Sequence, residues 1–130
     1  MSFRFRFLAI PVASIFVGAA SGAGDSAPSV CWEHTMEAPN RPNVLSLCVR
    51  GDSAIMSVYY PNTTSPPTTC FQSGKATLKP GGALAISLDQ GVCQNGNAVR
   101  QNELACSPNA DQSLTCTIAG VEGAFRFARK

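Results

Sequence analysis

His34 is the single histidine of the chain and stands between Glu33 and Thr35, two residues after Trp32. A histidine beside a carboxylate is the smallest arrangement that can act as an oriented general base. The spacing works against it here. Val30 to Thr35 reads as a strand, and successive strand residues point to opposite faces, so Glu33 does not reach the His34 ring. No Gly-x-Ser-x-Gly nominates a serine nucleophile. The eight acidic residues are scattered, without a spacing that suggests the paired carboxylates of a glycosidase. His34 is expected to be structural or solvated, and the chain is expected not to be an enzyme.

Cysteine is the other reactive type, with Cys31, Cys48, Cys70, Cys93, Cys106 and Cys116 making an even six. There is no Cys-x-x-Cys and only one histidine, so a zinc-ligand pattern is missing and neither metal nor cofactor is expected. The competing use is three disulfides formed in an oxidising compartment. The N-terminus agrees. Arg4 and Arg6 precede an apolar run from Phe7 to Ala20 and the small residues Ser21 to Gly24, the order of a secretory signal peptide. The run holds Pro11 and is short of the roughly 20 residues that span a bilayer. No cysteine follows it closely enough to carry a lipid. Cleavage fits after Ala20 or Ala23, the second preferred, which divides the chain into a signal peptide (1–23), a loose leader (24–29) and one domain (30–130). The expected location is secreted or periplasmic, without membrane insertion after the signal is removed. Two of the ten basic residues leave with the signal, so eight basic face eight acidic residues in the mature chain. That neutrality argues against nucleic acid and against an anionic membrane surface as partners.

Three features suggest recognition. Arg50-Gly51-Asp52 is the integrin-recognition tripeptide at a hairpin tip, a placement that resembles its display in adhesive modules and disintegrins. Gly51-Asp52 is also what the turn itself requires. Tyr59 and Tyr60 are adjacent, so a regular strand turns one of them outward, and tyrosine is enriched at binding hot spots. They run into a polar, proline-rich loop that carries Asn62-Thr63-Thr64, an N-glycosylation sequon in a eukaryotic secretory pathway. Arg50, Gly51, Asp52, Tyr59, Tyr60 and Asn62 are the candidate binding residues, and a protein or a glycan is the expected partner.

The elements that hold these residues read as eight short strands. Asn43 to Tyr60 is the plainest unit, two runs rich in β-branched and aromatic residues around Arg50-Gly51-Asp52-Ser53. Val30 to Thr35 precedes it. Thr69 to Leu78, Ala83 to Val92, Ala98 to Cys106, Ser113 to Ile118 and Ala124 to Ala128 follow, divided by Pro80-Gly81-Gly82, Asn95-Gly96, the Ser107 to Gln112 loop and Gly120 to Gly123. Leu84, Ile86 and Leu88 alternate with Ala85, Ser87 and Asp89, the period of a half-buried strand. The expectation is an all-β antiparallel meander, closed or nearly closed into a small barrel, with a β-sandwich as the alternative.

Hairpin symmetry proposes the disulfides. Cys31 and Cys48 are equidistant from Pro39-Asn40, Cys70 and Cys93 from Gly81-Gly82, and Cys106 and Cys116 from Asp111. Each pair would face across its own hairpin. For the middle pair the cysteines and the apolar residues disagree by one. Leu78 opposite Leu84 and Ala76 opposite Ile86 need a register one residue away from Cys70 opposite Cys93, and a β-bulge between turn and cysteines reconciles the two. In architecture such a domain is similar to the bacterial periplasmic lysozyme-inhibitor and protease-inhibitor barrels, which implies an inhibitor-like binding role. Of their Ser-Gly-x-x-Tyr type of loop, Gln72-Ser73-Gly74-Lys75 shares the Ser-Gly alone.

Overall fold

The computed structural model describes residues 28–37, 43–61 and 66–130. The signal segment, the start of the leader, the Pro39-Asn40 turn and the Asn62 sequon lie outside the described residues. The strands are β1 (Val30–Met36), β2 (Asn43–Arg50), β3 (Ser53–Tyr60), β4 (Thr68–Leu78), β5 (Leu84–Leu88), β6 (Gly91–Cys93), β7 (Ala98–Val99), β8 (Asn102–Pro108), β9 (Leu114–Ile118) and β10 (Ala124–Arg129). All pairings are antiparallel. β1, β2, β3, β4, β5, β8, β9 and β10 pair in that order, and β10 returns to β1, closing an eight-strand barrel. β6 and β7 are two extra strands, β6 lying against the start of β4 and β7 against β6. They continue β5 and β8 past an interruption, so the strands expected over Ala83 to Val92 and Ala98 to Cys106 are each present as two pieces.

The interruption is a bulge. Gly74 pairs with Leu88 and Phe71 with Val92, so two residues of β4 face three of its partner, Asp89 to Gly91. Cys70 and Cys93 are thereby opposite each other while Leu78 still meets Leu84 and Ala76 meets Ile86. Gln72, buried at this point, donates from Nε2 to the carbonyl oxygens of Asp89, 3.2 Å away, and Arg100, 2.8 Å away. Those acceptors lie where the ladder is broken, so one side chain replaces missing sheet bonds. Strand contact is unusually close on both sides of the bulge. A Cβ on Gly74 would overlap the Ser87 carbonyl oxygen and one on Gly91 the Phe71 carbonyl oxygen, so both positions require glycine.

Alternation then fills the barrel. Trp32, Leu45, Leu47, Met56, Ile86, Leu88, Leu104, Leu114, Ile118 and Phe127 point inward and form one buried cluster. Eight strands enclose a space just wide enough for side chains, so this interior is a packed core. Trp32 donates its indole N–H to the Gln112 carbonyl oxygen at 2.9 Å, which ties the β8–β9 turn to the barrel end. Gln112 itself adopts a positive φ of 72° within that turn. The three disulfides are Cys31–Cys48, Cys70–Cys93 and Cys106–Cys116, each joining directly opposed residues, as hairpin symmetry proposed. Among the described residues no helix is long and apolar enough to cross a membrane, and three disulfides suit an oxidising, extracellular type of environment.

Candidate functional site

The two groups of candidate binding residues lie at opposite ends of one hairpin. Arg50-Gly51-Asp52 turns β2 into β3, whereas Tyr59 and Tyr60 finish β3. At about 3.3 Å per residue the intervening strand holds them some 20 Å apart. They do not form one small site. In the turn, Gly51 has a φ of 59°, which the two-residue connection demands. The Asp52 carbonyl oxygen accepts from the Ala76 N–H at 2.9 Å, and Arg50 Nε donates to Ser29 Oγ at 3.4 Å. Turn chemistry therefore accounts for the conformation of the tripeptide.

Both tyrosines are exposed, for different reasons. Tyr59 points out from the barrel wall. Tyr60 has the inward parity but is the last residue of β3, where the wall ends and an inward side chain meets solvent. Asn62 lies outside the described residues.

Tyr59 belongs to a larger face that the sequence reading did not assemble. Ile55 and Tyr59 point outward from β3, Phe71 from β4 and Val92 from β6, and all four are exposed, at 55%, 41%, 46% and 55%. Cross-strand register orders them. Phe71 lies between Ser57 and Val92, Tyr59 lies opposite Thr69, and Ile55 lies opposite Ser73, so three of the four have a hydroxyl neighbour, while Val92 lies between Phe71 and Ala98. Ser53–Tyr60, Thr68–Gly74 and Gly91–Val99 contain no Asp, Glu, Lys or Arg. Charged residues border the face at its Ile55 end, where Asp52, Lys75 and Asp89 line a depression with that side chain, and others form the Arg126–Asp111 and Lys130–Glu33 ion pairs elsewhere on the barrel. The face ends at a depression of about 450 Å³ lined by Pro66, Pro67, Thr68, Gln94 and Asn95, which the Asn95 N–H to Thr68 Oγ1 bond, 3.2 Å, helps to shape.

One signal for Phe71 was present in the sequence. Cys70 shares the strand parity of Ala76, which meets Ile86 in the core, and the next residue along a strand then faces out. Ser73-Gly74 lies in the middle of β4 with Gly74 held against β5, so it is a strand segment and not an exposed loop.

His34 is placed by packing. Its ring lies 5.4 Å from that of Phe125 and 5.5 Å from that of Phe127, centroid to centroid, and Nδ1 donates to the Arg126 carbonyl oxygen at 2.8 Å. Glu33, on the opposite face, accepts from Lys130 Nζ at 3.3 Å. The imidazole is thus oriented by a backbone carbonyl and two aromatic rings, while the adjacent carboxylate is engaged elsewhere. Asp111 is a perturbed acid. The Ser113 hydroxyl, then the Ser113 N–H and the Arg126 guanidinium hold its carboxyl below the ordinary carboxylate value.

Comparison with known proteins finds no matching family model, no matching curated protein and no matching solved structure.

Proposed function

We propose that this protein is a non-catalytic binding module, secreted or periplasmic, that holds a protein partner against the outer face of β3, β4 and β6. The observation that carries the reading is the joint exposure of Ile55, Tyr59, Phe71 and Val92 on outer strand segments that hold no charged residue, on a barrel whose core is already filled. Interface centres are depleted in charge and enriched in aromatic residues, and contiguous apolar patches on soluble domains mark interaction sites. The scaffold is suited to the task, because closure and three disulfides hold the face rigid and little ordering entropy remains to be lost on binding. An inhibitor-like role follows where the partner is a hydrolase whose cleft the face covers.

The test is retention from extracellular fluid on immobilised protein. A partner held by the native chain and by Asp52→Ala, and lost by Phe71→Ser, supports the reading. A partner held equally by Phe71→Ser places the contact elsewhere and rejects it.

A glycan partner is the second reading, favoured by Tyr59 next to a depression whose rim carries the amides of Gln94 and Asn95. A glycan array with Tyr59→Ala as control separates it from the first.

A further inference from the structure

Cys70, Cys93, Cys106 and Cys116 are buried, and their disulfides are part of the core. Cys31 and Cys48 differ. Their strand neighbours Trp32 and Leu47 point into the barrel, so both cysteines point out of it, and both are only half-buried. A depression of about 510 Å³ opens beside Cys48, lined also by Ser29, Arg50, the Gly51-Asp52-Ser53 turn and Ile55. An attacking thiolate has a path to sulfur at this disulfide, whereas the other two lie behind the barrel wall.

The disulfide also sits at the strand that closes the barrel. β1 pairs with β2 over seven residues, but with β10 over two, Trp32 with Arg129 and Glu33 with Ala128. One more backbone bond, Lys130 N–H to the Cys31 carbonyl oxygen at 3.0 Å, extends the closure, and at the next step the Arg126 carbonyl is taken by the His34 side chain.

We propose that Cys31–Cys48 is an exchange-competent disulfide, the site at which an external dithiol reduces the folded protein while Cys70–Cys93 and Cys106–Cys116 remain oxidised. The reductant's first thiolate attacks Cys48 Sγ, the Cys31–Cys48 bond breaks, and Cys31 leaves as a thiolate. The reductant's second thiolate then attacks its own sulfur in the mixed disulfide and releases Cys48. Two electrons pass from the dithiol, which ends as a disulfide, and its two protons end on Cys31 and Cys48. Access decides which disulfide reacts, since exposed disulfides are the labile ones and buried ones react after an opening of the fold. A dithiol oxidoreductase of the oxidising compartment is the class of partner this site fits.

The test is timed reduction of the native protein with dithiothreitol, quenching with an alkylating agent and mapping of the labels by mass spectrometry. The expected first product carries two labels, on Cys31 and Cys48, and forms about tenfold faster or more than any label on the other four, the factor that about 1.4 kcal/mol of extra opening imposes. Labels appearing first on another pair, on all six together, or on all pairs at indistinguishable rates would overturn the proposal. In a Cys31→Ser, Cys48→Ser variant the fast step should vanish and the two remaining disulfides should keep their slow rates. A fast step surviving on either of them is equally fatal. The native-chain measurement stands by itself if that variant does not fold.

Discussion

Tyr59 and Phe71 are diagonal neighbours on the outside of the barrel, because Tyr59 pairs with Thr69 and Phe71 with Ser57 two residues along. Diagonal positions on adjacent strands lie about 7–8 Å apart, within reach of one another's rings. Both side chains leave the core untouched and present aromatic surface to solvent.

Two phenylalanines should therefore respond oppositely to truncation. Phe127 is fully buried among the inward residues, and Phe127→Ala is expected to cost about 3–5 kcal/mol. Phe71 is exposed, and Phe71→Ser should change stability by no more than about 0.5 kcal/mol. Denaturant midpoints check both, and a large loss for Phe71→Ser would make that residue structural.

Gly74→Ala should be harmful although alanine is usually tolerated in strands. Its added Cβ has no room against the Ser87 carbonyl, and backbone must move, at a cost of about 1–3 kcal/mol. A variant within 0.5 kcal/mol of the native chain, roughly the scatter of neutral substitutions, would contradict the close approach of β4 and β5.

Acid should act partly through Asp111. Its folded-state pKa is depressed, chiefly by the Ser113 hydroxyl at 2.5 Å and the Ser113 N–H at 3.1 Å, so the folded state favours the carboxylate. Stability from this source is present above the unfolded value, about 4, and is lost as pH falls through the lower folded value. Asp111→Asn removes the titration. Melting temperatures of native and variant chains should differ more at pH 6 than at pH 2, and parallel curves would refute the assignment.

Complete reduction tests the staples together. The disulfides span 17, 23 and 10 residues, which on the chain-entropy account is about 3 kcal/mol each. Their sum is comparable with the whole stability of a domain of this size. The fully reduced protein should melt tens of degrees lower, and a shift of only a few degrees would mean that the core suffices without them.

Much of this fold was legible because its signals are local. Turn residues and period-two alternation mark the strands, and Cys70, Cys93, Leu78 and Leu84 together disclose a bulge that neither the cysteines nor the leucines reveal separately. Barrel closure was legible as a preference, because closure removes exposed edges, and not as a strand pairing. It depends on β1 meeting β10 across almost the whole domain, and no local pattern records that pairing. The binding face was half legible. Tyr59 announces itself beside Tyr60, but Ile55, Phe71 and Val92 look like core residues until register shows which side of the sheet each occupies. Arg50-Gly51-Asp52 was conspicuous for its motif, and turn geometry accounts for it.

The most direct measurement is the affinity of the partner retained by the native chain, compared by titration calorimetry for the native protein, Phe71→Ala and Asp52→Ala. Phe71→Ala is expected to weaken binding about 30-fold or more, a hot-spot loss of roughly 2 kcal/mol, with an unchanged melting temperature, while Asp52→Ala binds like the native chain. Native-like affinity in Phe71→Ala, or a loss confined to Asp52→Ala, would contradict that expectation.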